Sequence, residues 1–360
     1  MKAAFTYPPI AIVSFICLSL LLGNCSPIGH QKDAEHASET VFPTQKQKGT
    51  HLFSVREGTD FAPFRQSNLE WLTVVPWGFQ IDIDSPEVSH HDGDSLHIKQ
   101  HEDNWVGNIR LARAAGFKVF LKPHLWLNAP REGKWRSDIY PADEKVWEEW
   151  QLSYTEFILR YARVAEAAEA EMFCIGTEFS LLSVKKADFW RALIKQIRQV
   201  YSGKITYAAN WYDEFAEITF WDQLDYIGIQ AYFPLVEHNY PTVAQLTQAW
   251  DKHLPAIKAV SQRYERQILF TEMGYRSTAN SAIKPWEWME KQDEPDSLYS
   301  PETQANCYQA FFDVFWQKDW FAGVHIWQMR SDFVAKPGKK NLDFSPQGKL
   351  AEQVIAKGFE

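Results

Sequence analysis

The sequence has little cysteine and none of the short motifs that mark nucleotide or zinc sites. No P-loop, GxGxxG or CxxC pattern occurs in its 360 residues, so nothing calls for a nucleotide, a dinucleotide or a structural zinc. Of the four cysteines, Cys17 and Cys25 lie in the leader, and Cys174 and Cys307 lie in the folded part. We expect Cys174 to be a buried strand thiol and expect no disulfide framework.

Positive charge is also scarce. The 37 Lys and Arg residues are outnumbered by 46 Asp and Glu, which gives a net charge of −9. This balance argues against a nucleic acid as the main partner and fits a neutral substrate. Aromatic residues, in contrast, make up 15% of the chain and include 16 Trp. Flat aromatic faces are needed in carbohydrate sites, although core packing is the more frequent role of any one Trp.

The only long apolar run is too short for a confident membrane span. Residues Ile10–Gly23, preceded by Lys2, have the layout of an export signal. The run ends in Leu21–Ser26, which resembles the lipobox of bacterial lipoproteins, although Asn24 departs from the usual small residue. We therefore expect residues 1–25 to be a signal peptide whose Cys25 is lipidated, so that the exported protein is anchored to the outer face of a membrane, in the periplasm or at the cell surface. A freely secreted protein and an uncleaved anchor are the alternatives.

After the leader, residues 26–49 are polar and predict a disordered linker, in which His30 and His36 are solvated. The remaining residues, 50–360, predict a single catalytic domain, because one α/β barrel would use most of this length.

Short apolar strands alternate with helical stripes from residue 50 onward, a pattern typical of a parallel sheet with crossover helices. Eight strands are predicted, at His51–Val55, Trp71–Pro76, Lys118–Lys122, Met172–Gly176, Lys204–Ala208, Tyr226–Gln230, Gln267–Thr271 and Gly323–Trp327. The pattern predicts an α/β fold of the (β/α)8, or TIM barrel, class, whose active site lies at the carboxyl ends of the strands.

Four helical stripes accompany these strands. They are Trp147 to Ala165, Phe189 to Val200, Leu246 to Ile257, and a final helix with Tyr308, Phe311, Phe312 and Phe315. Two long inserts, Asp82–Asp103 and Arg276–Pro301, are expected to form loops over the carboxyl-terminal face.

Two of the predicted strands end on a glutamate, Glu178 after the fourth and Glu272 after the seventh. Packing does not account for an acidic residue at the end of a buried parallel strand, whereas a catalytic role does. The structural alternative is an internal ion pair or a surface acid. Two carboxyl groups across a barrel mouth suit the hydrolysis of a glycosidic bond, with a separation of about 5 to 5.5 Å in retaining enzymes and about 6.5 to 9.5 Å in inverting ones.

Further polar and aromatic residues follow the strand ends and are predicted to bind substrate. They are Trp77, His124, Trp126, Asn210, Trp211, Tyr232, Tyr275 and Trp327. The alternative for His124 is a barrel histidine with satisfied hydrogen bonds, and for Trp126 and Trp211 it is core packing.

The segments Gly176-Thr177-Glu178-Phe179, Thr271 to Ser277 and Lys122-Pro123-His124-Leu125-Trp126 resemble those of glycoside hydrolase family 113. The resemblance spans about residues 50 to 350. It implies a retaining (β/α)8 enzyme, chiefly an endo-β-1,4-mannanase, with Glu178 as acid/base and Glu272 as nucleophile. It also implies that Tyr232 hydrogen-bonds Glu272 and that Trp327 floors the sugar site. Many members of the wider clan carry Asn where this chain has Thr177, and Asn210 or His124 is expected to supply that contact.

The expected function is therefore hydrolysis of mannan or manno-oligosaccharides by a monomer that needs no metal or organic cofactor. One alternative is another β-linked glycan as substrate. A second is an inactive glycan-binding lipoprotein. The segments His90–Asp94 and Glu290–Asp296 are interpreted as a solvated loop and a charged rim.

Overall fold

The computed structural model describes residues 42–43, 45–89, 95–288, 296–334 and 340–360. The leader with Cys25, most of the linker, and the segments His90–Asp94 and Glu290–Pro295 lie outside the described residues. Within those ranges, no helix is both long enough and apolar enough to cross a membrane.

The described part of the chain forms ten strands. They are β1 Gln47–His51, β2 Trp71–Val74, β3 Trp77–Gln80, β4 Lys118–Leu121, β5 His124–Leu127, β6 Met172–Thr177, β7 Lys204–Asn210, β8 Tyr226–Gln230, β9 Ile268–Met273 and β10 Phe321–Ile326. Eight of them close into a parallel barrel in the order β1-β10-β9-β8-β7-β6-β4-β2. The predicted (β/α)8 barrel is confirmed.

The first strand lies four residues earlier than predicted. β1 pairs Gln47 with Gly323 and Gly49 with Trp71, so the barrel begins before residue 50. Leu52 and Val55 misled the prediction, because they are buried in the loop beyond the strand. The polar side chain of Gln47, within the strand, is buried and accepts a hydrogen bond from His325 at 2.8 Å.

A short parallel ribbon, which the sequence pattern did not predict, extends from two barrel strands. β3 follows β2, and β5 follows β4, after two residues in each case, and the two pair with each other rather than with the barrel. The register sets Trp77 opposite His124 and Phe79 opposite Trp126. Several predicted substrate-binding residues therefore lie on one ribbon at the barrel mouth.

Nine helices are present in the described ranges. They are α1 Ala62–Gln66, α2 Ser95–Ala114, α3 Glu144–Ala167, α4 Ser180–Lys185, α5 Ala187–Val200, α6 Val243–Trp250, α7 Leu254–Tyr264, α8 Pro301–Phe315 and α9 Leu350–Gly358. Asp143 caps the amino terminus of helix α3, because its side chain accepts a hydrogen bond from the backbone N–H of Val146. Its predicted apolar stripe, Trp147 to Ala165, is confirmed as buried.

Three helix predictions need correction. The stripe from Leu246 to Ile257 is two helices, α6 and α7, because the chain turns between Trp250 and Leu254. Helix α8 is followed by α9, so it is not the last. The insert Asp82–Asp103 is not a loop throughout, since α2 begins at Ser95.

Most of the buried tryptophans pack in the core between strands and helices. Trp150, Trp190, Trp221 and Trp250 are fully buried there, whereas Trp126, Trp286 and Trp288 are exposed. Cys174, on β6, and Cys307, on α8, are buried free thiols, which confirms the prediction for Cys174.

Candidate active site

Glu272, near the carboxyl end of β9, is buried and accepts three hydrogen bonds. Its Oε1 accepts one from the Tyr232 hydroxyl, as predicted. Its Oε2 accepts one from Lys122 Nζ at 2.8 Å and one from Gln230 Nε2 at 2.9 Å. Burial and the negative charge of Glu272 raise the pKa of Tyr232 well above its usual value, so Tyr232 remains a donor at neutral pH. Three groups thus donate to one carboxylate, one of them a charged ammonium.

Lys122 lies immediately after β4 and is completely buried. Its ammonium group lies within hydrogen-bonding distance of four acceptors, which are Glu272 Oε2, Gln230 Oε1 at 2.8 Å, His51 Nε2 at 3.4 Å and the Thr271 carbonyl at 3.4 Å. Burial, and then the charge of Lys122, lower the pKa of His51 well below its usual value. His51 is therefore neutral, donates from Nδ1 to the Ile326 carbonyl and accepts from Lys122. The 3.8 Å approach of His51 to Glu272 is thus a contact between two acceptors and not an ion pair.

Glu178 follows β6 directly and has different surroundings. Its backbone is in the left-handed region, with φ of 57°. Its Oε2 accepts a hydrogen bond from Arg136 Nε at 3.0 Å, and the guanidinium is held in turn by the Leu125 carbonyl at 3.1 Å. Arg136 belongs to a short 3-10 helix in the loop after β5. The Glu178 side chain is 12% exposed, against 7% for Glu272.

The two glutamates lie close enough to act on one tyrosine. The negative charge of Glu178 also contributes to the raised pKa of Tyr232, which hydrogen-bonds Glu272. A carboxylate with three donors and a second, more exposed carboxyl group are suited to nucleophilic attack and to proton transfer, respectively.

His124 is buried next to this pair, and neither of its ring nitrogens has a hydrogen-bond partner among the described residues. The alternative of a barrel histidine with satisfied hydrogen bonds is therefore wrong. Burial, followed by the charges of Lys122 and Arg136, lowers its pKa well below the usual value. The neutral ring has one donor and one acceptor to offer a ligand. It lies parallel to Trp327, at 6.4 Å between centroids, and Trp327 Nε1 also has no partner in the described ranges.

An aromatic row continues from His124 along the ribbon to the loop after β5. Trp77 contacts His124 at 5.1 Å, Trp126 contacts Trp77 at 5.8 Å, and Trp135 contacts Trp126 at 5.3 Å between centroids. Trp126 is 43% exposed, which rules out the core-packing alternative for it. The row ends where Trp135 stacks on Arg136, the partner of Glu178.

A second aromatic group lies on the insert after β9. Trp286 stacks on Trp211 at 5.3 Å, and Trp288 contacts Trp327 edge-on at 5.8 Å. The described part of the predicted mouth loop Arg276–Pro301 therefore packs against residues of the mouth. Trp211 is half-buried between Phe233 and Trp286.

One predicted binding residue has no exposed surface. Tyr275 is fully buried and packs edge-on against Tyr308 of α8, at 5.6 Å. It lies two residues beyond β9, and its hydroxyl has no hydrogen-bond partner among the described residues. Asn210 is at the mouth, but its Nδ2 donates to Ser180 Oγ at 2.9 Å, so this donor is already engaged.

Four residues that contact the two glutamates or their partners were not singled out from the sequence, namely His51, Lys122, Arg136 and Gln230. Lys122 and Gln230 end apolar strands just as the glutamates do, so the same signal could have found them. Arg136 lies in the loop after β5, where no strand end marks it. In the described part of the chain, no three His, Cys, Asp or Glu residues cluster in a way that could hold a metal.

The family profile of Glycoside Hydrolase Family 113 matches residues 44–349 of this chain. The chain therefore belongs to glycoside hydrolase family 113. It is a glycoside hydrolase, and the barrel and the paired glutamates agree with that assignment.

Similar solved structures include members of family 113. A family 113 β-1,4-mannanase is 28% identical, with a TM-score of 0.71, and the match covers 88% of this chain and 99% of that one. The family 113 β-mannanase AaManA from Alicyclobacillus acidocaldarius, in complex with ManMIm, is 25% identical, with a TM-score of 0.71 over 88% of this chain and 97% of that one. A β-glucuronidase from Ruminococcus gnavus, 13% identical over 88% of this chain and 50% of that one, with a TM-score of 0.56, shares the fold. A search of curated proteins finds no match.

Proposed function

We propose that this family 113 protein is a retaining endo-β-1,4-mannanase that hydrolyses mannan or manno-oligosaccharides. The observation that carries the proposal is the unequal pair of glutamates at the mouth. Glu272 is surrounded by donors, and Glu178 is the more exposed of the two. The choice of mannan is supported by the similar β-1,4-mannanases of the same family.

In the proposed first step, Glu272 attacks the anomeric carbon while Glu178 donates a proton to the leaving oxygen. The covalent glycosyl-enzyme ester forms as the glycosidic bond breaks. In the second step, Glu178 accepts a proton from water, and the water displaces Glu272. The carboxyl separation that this mechanism requires is about 5 to 5.5 Å.

The reacting sugar is proposed to lie against Trp327, beside His124. Both residues have buried polar atoms without protein partners in the described ranges, and sugar hydroxyls would satisfy them. Thr177 stands before the acid/base where clan members carry Asn, so His124 or the free oxygen of Asn210 is proposed to contact the 2-hydroxyl.

The aromatic row supports a substrate longer than one sugar. Trp77, Trp126 and Trp135 extend from the site of the reacting sugar toward the Glu178 side of the mouth. Exposed indole faces bind pyranose rings by stacking, so several sugars of one chain are proposed to bind along this row, as internal cleavage requires.

The test is hydrolysis of mannan, a β-glucan and an amino-sugar polymer by wild type, Glu178→Ala and Glu272→Ala. We expect release of manno-oligosaccharides by wild type and losses of roughly 10⁴-fold or more in both variants. With azide added, Glu178→Ala should yield a β-glycosyl azide and Glu272→Ala the α anomer, because the nucleophile is missing only in the second. Glu217→Ala, an exposed acid in the loop after β7, is the control. Activity on β-glucan alone, or full activity in either variant, would contradict the proposal.

Export and anchoring through lipidated Cys25 are proposed from the leader alone, and the protein is proposed to act as a monomer outside the cytoplasm. A Cys25→Ala variant should lose membrane association and the incorporation of labelled fatty acid. Membrane association that persists without the label would favour the uncleaved anchor.

A further inference from the structure

A buried carboxylate that the proposed mechanism does not use lies close behind Glu178. Glu214, in the loop after β7, is completely buried, and no cation pairs with it among the described residues. Four donors surround it instead. They are the Tyr207 hydroxyl at 2.5 Å, Ser183 Oγ at 2.7 Å, the backbone N–H of Asn210 at 2.7 Å and Ser180 Oγ at 3.1 Å.

The four donors come from two separate segments. Tyr207 and Asn210 belong to β7, whereas Ser180 and Ser183 belong to α4, which begins two residues after Glu178. Because one carboxylate accepts hydrogen bonds from both segments, Glu214 ties the turn that carries Glu178 to the neighbouring barrel strand. Asn210 adds a direct link by donating from Nδ2 to Ser180 Oγ.

The hydrogen bonds reach the backbone on both sides of Glu178. The Glu178 amide donates to the Ala208 carbonyl at 2.9 Å. The next amide, of Phe179, donates to the Tyr207 hydroxyl at 2.7 Å, and that hydroxyl donates to Glu214. Glu214 is therefore one hydroxyl group away from the main chain of the proposed acid/base.

The backbone of Glu178 needs such support. Its φ of 57° is in the left-handed region, which costs a non-glycine residue about 1 kcal/mol or more. The Tyr207 ring also packs closely against β6, since a Cβ added to Gly176 would lie 2.8 Å from it. The Tyr207 hydroxyl is thus held in place by its ring as well as by its hydrogen bonds.

The charge on Glu214 matters because all four of its partners donate. Burial raises its pKa to about 7, against the opposing effect of the hydrogen bonds from Tyr207, Asn210 and Ser183, and the nearby charge of Glu178 raises it further. Tyr207, the other titratable group in contact, has a pKa raised well above its usual value by burial and by Glu214. It therefore stays protonated and continues to donate.

We propose that Glu214 is a positioning residue that holds the Glu178 turn, through Tyr207 and Ser180, in the orientation that protonates the leaving oxygen. This inference rests on the proposed role of Glu178 as acid/base.

The test uses Glu214→Gln and Tyr207→Phe, with Tyr201→Phe as matched control. In Glu214→Gln, an amide NH₂ replaces an acceptor, so at least one donor loses its partner. Tyr207→Phe removes the hydroxyl that links Phe179 to Glu214. The control removes the buried hydroxyl of Tyr201, which donates a hydrogen bond to the Ala170 carbonyl at 2.7 Å near the amino-terminal end of the barrel.

The kinetic readout compares two aryl β-mannobiosides. Departure of phenol needs a proton from the acid/base, whereas dinitrophenolate leaves without one. We expect kcat/KM on the phenyl substrate to fall about 10- to 100-fold in both variants, with at most an about twofold change on the dinitrophenyl substrate. The control should match wild type on both. Equal losses on both substrates, or no loss on either, would overturn the positioning role.

Amide hydrogen exchange reads the same contact without any substrate. Faster exchange at residues 178–183 in Glu214→Gln and Tyr207→Phe, but not in Tyr201→Phe, is expected, and unchanged exchange there would overturn the inference. If wild type cleaved no β-mannoside at all, the proposed function would fail, and this exchange measurement would still decide whether Glu214 holds the turn.

Discussion

Glu272 and Glu178 lie at the same mouth, yet different parts of the fold hold them. Glu272 is held by Lys122, Gln230 and Tyr232, all at or just after the ends of barrel strands. Glu178 is held by Arg136 from a loop, and its backbone by a network centred on Glu214 from another loop. Barrel strands are the more rigid part of the fold, and loops are the more adaptable part.

This difference agrees with the two proposed roles. A nucleophile needs one fixed direction of attack and a stable charge, which three buried donors on the barrel provide. An acid/base must exchange its proton twice in each cycle and must face first a leaving group and then water. A single guanidinium on a loop, together with greater exposure, permits that exchange.

The largest expected effect comes from removing the charge next to Glu272. Lys122→Met retains the length of the side chain but leaves the carboxylate without its cation in a buried site. We expect kcat/KM to fall on the order of 10³-fold and the free energy of unfolding to fall by about 3 kcal/mol. Kinetics and chemical denaturation measure the two.

The matched control is Lys48→Met, which breaks a partly exposed pair with Glu70 and should cost less than about 1 kcal/mol. Equal costs at the two sites would show that burial does not make the Lys122 pair special.

A smaller effect is expected for Tyr232→Phe, which removes one of the three donors to Glu272. The loss of a hydrogen bond to a charged group predicts a drop in kcat/KM of roughly 10- to 100-fold. The drop should be the same for phenyl and dinitrophenyl β-mannobiosides, because the nucleophile acts on both. Tyr226→Phe, at the other end of β8, should behave as wild type. A loss confined to the phenyl substrate would place Tyr232 with the acid/base instead.

Arg136→Gln tests the opposite side of the comparison. Glu178 would lose its side-chain partner while Glu272 kept all three donors, so we expect about a tenfold loss on the phenyl substrate and little change on the dinitrophenyl one. Lys134→Gln, which breaks an exposed pair with Asp138 on the same loop, is the control. If both substrates lost activity equally, Arg136 would serve the fold rather than the acid/base.

Stability is also expected to change with pH through the titration of Glu214. Burial raises the pKa of Glu214 from 4.5 to about 7, so the folded protein binds this proton more tightly than the unfolded chain does. Its contribution to stability is present below pH 4.5 and is lost as pH rises to about 7, by up to about 3 kcal/mol.

Glu214→Gln removes this titration. The Tm of wild type relative to Glu214→Gln should therefore be lower at pH 8 than at pH 5. A difference that does not change with pH would show that Glu214 titrates well outside that window.

Sequence reasoning found the barrel because buried parallel strands and amphipathic helices have different periods. It misplaced β1, since Leu52 and Val55 continue an apolar pattern after the strand has ended. It did not foresee that Tyr275 packs against Tyr308, because position near a strand end does not say what a side chain will contact. Composition does not distinguish Trp126 from Trp190, yet Trp126 is exposed on the ribbon and Trp190 lies in the core.

By itself, the sequence predicted the barrel and the two glutamates at strand ends, because these follow from local periodicity. The Tyr232 contact was implied by the resemblance to family 113. Only the tertiary structure decided what surrounds each glutamate. Arg136 is 42 residues and Glu214 is 36 residues from Glu178 along the chain, and the loops that follow neighbouring strands bring all three together. Loop residues have no period that announces their partners, so the environment of the proposed acid/base depends on the folded chain.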